Sequence, residues 1–122
     1  MTIVVVSIVA VAMGVMGLAA LAAPERFLAT TGSEIQNRDG RNEVRAVYGG
    51  YGLAMAGILV YALSAEAFRP GILLCMALAL LGMAGGRVIS ALVDRGLSRL
   101  MAGLTIIETA GGVALLWVSV PA

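Results

Sequence analysis

Along this chain, long apolar stretches alternate with short polar ones. Thr2 to Ala23 contains no charged residue at all. Further apolar runs extend over about 44–64, 71–92 and 100–120, separated by polar connections. Each run has roughly 20 residues, enough for a helix to cross a hydrocarbon core about 30 Å thick. Strands of a membrane barrel would show apolar–polar alternation in segments of about 10 residues. These runs are continuous instead, so the pattern predicts an all-α integral membrane bundle of four transmembrane helices in a single domain.

Local signals place the helix ends. The longest connection is PERFLATTGSEIQNRDGRN, residues 24–42. Pro24 suits the first turn of a short helix and Gly32 suits its end. Phe27 and Leu28 are expected at the membrane interface. RDG at 38–40 reads as a turn. Asn42 is then the expected N-cap of the second span, with Glu43 favourable at its positive end. The other two connections are short, so consecutive helices should pack antiparallel. ALAAPE at 20–25 resembles a signal-peptidase site, but no basic segment precedes it and the apolar stretch is too long. The first run is therefore expected to remain as a span.

Composition supports a membrane protein. Of 122 residues, 61% are hydrophobic and 12% charged, about half the charged share of a soluble domain. The net charge is +1 and no basic run is present, so no nucleic-acid partner is expected. The sequence has no His, and its one Cys, Cys75, lies within an apolar run. No metal site, catalytic group or cofactor is expected. All eight basic residues are Arg. Arg26, Arg38, Arg41, Arg95 and Arg99 fall in the first and third connections, whereas the second has Arg69 alone. The positive-inside rule then places both termini outside the cytoplasm, in a multi-pass protein of the cell inner membrane. Trp117 and Tyr61 would lie near the outer interface.

Small residues predict helix packing. Gly82, Gly86 and Ser90 recur every four residues on the third span, and Gly52 and Ala56 do so on the second. Such stripes let helix backbones approach closely. They favour a homo-oligomer or a subunit of a larger membrane complex.

Charges inside the spans are the candidate chemistry. Arg87 lies near the end of the third span and Glu108 about two turns into the fourth, so antiparallel packing puts them at similar depth. A charge at the centre of a membrane helix costs about 2.5–3.5 kcal/mol on insertion scales, so each needs a partner. The start of the second span, on the same side, adds Glu43, Arg45 and Tyr48. The expected intramembrane polar cluster is thus Glu43, Arg45, Tyr48, Arg87 and Glu108, with Thr105, Thr109 and Ser90 nearby. It has three readings. One is a structural ion pair that fixes helix register. A second is a site for a lipid or a small hydrophobic or anionic ligand, with Glu108 able to exchange a proton. In the third, Arg87 reaches the nearby interface without a partner. A membrane-embedded enzyme acting on a lipid has less behind it, because no nucleophile motif accompanies the carboxylates.

NEVRAVYGGYGLAMAG at 42–57, GGRVIS at 85–90, Gly96 and IIETAGG at 106–112 carry a resemblance. Together they resemble a family of small bacterial four-helix membrane proteins catalogued as a domain of unknown function. Its pattern is Glu-x-Arg with a following aromatic in helix two, Gly-Arg in helix three and Glu in helix four. The matching positions are Glu43, Arg45, Tyr48, Arg87 and Glu108. The resemblance covers nearly the whole chain and implies four spans but no reaction. The chain is more distantly similar to DoxX-like proteins. Small multidrug transporters share the length, but their essential Glu lies in the first helix, where this chain has no charge.

Overall fold

A computed structural model describes residues 1–120. The chain is all-α, with no strand among the described residues. The helices are α1 (Thr2–Ala22), α2 (Pro24–Ala29), α3 (Arg38–Val44), α4 (Tyr51–Ser64), α5 (Arg69–Val93) and α6 (Arg99–Ser119). A π-helical turn, Arg45–Gly50, joins α3 to α4, so Arg38–Ser64 is one long helix. Four helices are long and apolar enough to cross a membrane: Thr2–Ala22, Arg38–Ser64, Arg69–Val93 and Arg99–Ser119. This is a multi-pass membrane protein. The described residues divide into two compact units, one of residues 1–6 and 62–120, the other Ser7–Tyr61.

In the unit Ser7–Tyr61, the short helix α2 begins at Pro24 and is closed by threonines. The hydroxyls of Thr30 and Thr31 donate to the carbonyls of Phe27 and Leu28, each at 2.7 Å. Gly32 follows with φ +78°, a left-handed conformation that glycine adopts without strain. The second span starts about one and a half turns earlier than the sequence suggests. Its N-cap is Asn37, whose Oδ1 accepts from the Gly40 amide at 2.9 Å, and Asp39 lies in the positive first turn. Residues 38–40 are therefore helical rather than a turn, and Asn42 lies within the helix instead of capping it. The reason is that an Asn side chain at N-cap satisfies an orphan amide that the turn would have left to water.

Glycines set the contact between α1 and the second span. A Cβ on Gly17 would lie 2.8 Å from the Leu53 amide nitrogen and 2.9 Å from the Gly49 carbonyl oxygen. One on Gly49 would meet Leu21 Cγ at 2.7 Å, and one on Gly52 would meet the Gly17 Cα and Met13 carbonyl at 3.1 Å. Backbone thus lies directly on backbone. The π turn falls at this contact. Tyr51 at its end still donates its amide to the Ala46 carbonyl, five residues back. Val9, Ala10, Met13, Val44 and Leu59 are buried in this unit.

In the unit of residues 1–6 and 62–120, α5 and α6 form an antiparallel hairpin. Asp94 is the C-cap of α5, and the Gly96 amide donates back to the Ala91 carbonyl at 3.1 Å. Arg95 takes the left-handed position between them, φ 53°, where Gly is the usual residue. α6 restarts behind Ser98, whose hydroxyl accepts from the Met101 amide at 3.2 Å. The buried residues of α5 are Leu73, Met76, Ala77, Leu80 and Ala84. Their three- and four-residue spacing marks one helix face. α6 buries Glu108, Gly112, Leu115 and Ser119, again one face. Gly112 is the close approach here, since a Cβ on it would lie 2.7 Å from Leu81 Cγ and 3.1 Å from the Ala77 carbonyl.

The small residues of α5 behave otherwise. Gly82, Gly86 and Ser90 are exposed, away from the buried face of α5. No described atom of their own unit lies within 4 Å of a Cβ built on Gly82 or Gly86. This stripe does not join α5 to α6. The hairpin has its close approach at Gly112 instead, against Ala77 and Leu81.

Candidate functional site: the buried ion pair of α5 and α6

Arg87 continues the buried face of α5, one turn beyond Ala84. Glu108 opens the buried face of α6. Because the two helices form a tight antiparallel hairpin, these two positions face each other across it. The Arg87 guanidinium donates from Nε to Glu108 Oε2 at 2.7 Å and from Nη2 to Oε1 at 2.8 Å. This is the two-pronged geometry in which both carboxylate oxygens are matched by the rigid fork of donors. The Glu108 side chain is 9% exposed and that of Arg87 27%. The opposed charges cancel where neither would be tolerated alone.

Met101 completes the pair. Its thioether sulfur lies 3.2 Å from Arg87 Nη1 and accepts from it. Met101 is not among the residues that the charge pattern singles out. It lies seven residues before Glu108, two turns back on one face of α6, and that spacing is the signal that could have found it. The neighbouring hydroxyls do not join. Thr105 donates to the Met101 carbonyl at 2.8 Å and Thr109 to the Thr105 carbonyl at 2.7 Å, both within α6. Ser90 donates to Asp94 at 3.1 Å on the exposed side of α5. A hydroxyl three or four residues from a helix carbonyl or side chain finds a local partner sooner than a distant one.

The remaining candidates, Glu43, Arg45 and Tyr48, belong to the other unit. Glu43 is exposed on α3. Arg45 is exposed at the start of the π turn and donates from Nε to the Leu21 carbonyl at 3.1 Å. That carbonyl is among the last of α1, which have no partner within the helix, so Arg45 caps α1. The Tyr48 ring packs on Phe27, centroids 5.2 Å apart and planes inclined at 52°. This contact ties α2 to the π turn. Glu25 and Arg41 approach to 3.6 Å on the surface.

A second arginine caps in the same way. Arg69 in the first turn of α5 donates from Nε to the Ala62 carbonyl at 2.8 Å and from Nη2 to the Leu63 carbonyl at 2.7 Å. Both are terminal carbonyls of α4. In the sequence, Arg69 stands out only as a topology marker. Its short distance from the end of the second span, in a connection with no other base, was the available clue.

Among the described residues no group of three His, Cys, Asp or Glu could hold a metal ion. Cys75 is exposed. The arrangement is therefore an ion pair with a thioether neighbour, able to hold two helices in register. No curated protein and no solved structure matches this chain. A family model does match, over residues 1–119, and by it the chain belongs to the family described as a domain of unknown function, DUF4345.

Proposed function

We propose that this protein is a non-catalytic membrane subunit that assembles with copies of itself or with a larger membrane complex. The observation that carries this reading is the closure of the ion pair: both oxygens of Glu108 are engaged by Arg87. A carboxylate so engaged serves register, and a proton-exchanging or nucleophilic role would require the pair to open. The exposed Gly82 and Gly86 support assembly, because a helix face without side chains admits a second backbone at close range. The excess of Arg in the first and third connections supports an inner-membrane protein with both termini outside the cytoplasm.

Native mass spectrometry of protein extracted gently from its own membranes tests this. The expected species is an assembly larger than the single 12.4 kDa chain. A monomer carrying one defined small mass, lost on Arg87→Ala, would instead make the pair a ligand site. That second reading, a transporter or binding protein for a small lipophilic or anionic molecule, has one observation in its favour. Arg87 keeps 27% of its side-chain surface while holding Glu108.

A further inference from the structure

At the opposite end of the α5–α6 hairpin from the ion pair lies a cavity of about 160 Å³. Its lining includes Glu66, Arg69, Pro70, Val118, Ser119 and Val120, with Thr2 beside them. α5 begins here and α6 ends here, so the cavity sits at the level where the spans leave the hydrocarbon. Two aromatics mark the same level. Phe68, 64% exposed, precedes Arg69, and Trp117, 79% exposed, precedes Val118. Exposed aromatic rings near helix ends anchor in the headgroup layer.

The charges at this cavity are opposite and loosely coupled. Arg69 Nη2 and Glu66 Oε1 are 3.9 Å apart, and the Glu66 side chain is 86% exposed. Such a surface contact holds neither group strongly. Arg69 is nonetheless fixed, because Nε and Nη2 are tied to the Ala62 and Leu63 carbonyls. Its Nη1 donates to none of the described residues. A pre-oriented guanidinium edge recognises phosphate oxygens. An exposed carboxylate beside it recognises an ammonium group. Pro70, Val118 and Val120 give the same cavity apolar walls.

We propose that this cavity binds the headgroup of a zwitterionic aminophospholipid, with phosphate on Arg69 and the primary ammonium on Glu66. The glycerol and upper acyl chain lie against Pro70, Val118 and Val120. The assignment is independent of whether the chain assembles. Charge complementarity chooses the lipid. An anionic headgroup would meet Glu66, and a trimethylated ammonium would have no N–H to donate to it.

The test is native mass spectrometry of the detergent-purified full chain, titrated with phosphatidylethanolamine, phosphatidylglycerol or phosphatidylcholine. The expected result is one phosphatidylethanolamine retained per chain, bound about two- to fivefold more tightly than either other lipid, the range of one exposed ion pair. Glu66→Gln should erase that preference, and Val118→Trp should fill the cavity and abolish retention. Glu66 is a surface residue, so Glu66→Gln alone decides the matter if Val118→Trp does not fold. Arg69 is left in place because it also caps α4. Equal retention of all three lipids by the wild type, or unchanged preference in Glu66→Gln, would overturn the proposal. So would displacement of the lipid by sub-millimolar free phosphoethanolamine, which would make the ligand a soluble one.

Discussion

The two units join their helices by different means. In Ser7–Tyr61, α1 and the second span meet where side chains are missing: Gly17, Gly49 and Gly52 put backbone against backbone. In residues 1–6 and 62–120, α5 and α6 share one glycine contact, at Gly112, and add a buried ion pair. In lipid, apolar side chains gain little from leaving the solvent, so helices associate through close packing or polar contacts. One seam uses the first and the other uses both. A seam built on sterics specifies only how close the helices come. A seam with one Arg and one Glu also specifies register, because a slip of one residue would separate two charges in a low-dielectric surrounding.

The largest effect should come from splitting the pair. Arg87→Ala should lower stability by about 3–5 kcal/mol, read from melting in detergent, because it leaves the buried Glu108 unpaired. Glu108→Gln should cost less, since Gln still accepts from Arg87. The double variant should lose less than the sum of the two single losses, and strictly additive losses would refute the coupling.

The steric seam comes next. Gly17→Leu would drive a side chain into backbone atoms of the second span, and repacking cannot remove backbone. A loss of about 1–3 kcal/mol or more is expected. A wild-type melting curve would mean that Gly17 is not at a close approach.

Smaller losses should follow removal of the arginine caps. Arg69→Ala strips two carbonyls of α4 of their donors and Arg45→Ala strips one of α1, so about 1 kcal/mol per hydrogen bond is expected, with Arg69 the larger. Amide hydrogen exchange should report the loosening at the end of α4 in one variant and of α1 in the other. The same exchange pattern in both would contradict the assignment of one cap to each helix.

Two substitutions should do little or help. Arg95→Gly relieves a left-handed residue at the α5–α6 turn and should stabilise by a few tenths to about 1 kcal/mol. Gly82→Ala adds a methyl group where the unit leaves open space, so the melting midpoint of the isolated chain should change by less than about 1 kcal/mol equivalent. If Gly82 lies in an interface between copies, the same change should shift the oligomer distribution instead.

Part of this is legible in the sequence. Four runs of about 20 apolar residues leave one way to satisfy every backbone amide in lipid, so the helices and their number follow from the sequence. The approach of Arg87 to Glu108 was legible too, because unpaired charges are costly there and a short connection forces an antiparallel hairpin. The start of the second span was misread because RDG has turn propensity, and Asn37 overrode it from one residue upstream. Arg45 looked like an intramembrane charge in search of a partner. Its partner is the Leu21 carbonyl, and a backbone acceptor 24 positions away leaves no mark in the residue pattern.

By itself the sequence determined that the chain is helical, that four of its helices are long and apolar enough to cross a membrane, and that Arg87 and Glu108 need each other. Those follow from transfer free energies that depend on residue type alone. Only the tertiary structure decided which glycines carry a contact. Gly17, Gly49, Gly52 and Gly112 lie against a neighbour, whereas Gly82 and Gly86 face away from their own unit. A glycine looks the same in the sequence whether its missing side chain makes room for a backbone or for nothing. The rotation of each helix about its axis separates the two cases, and packing sets that rotation.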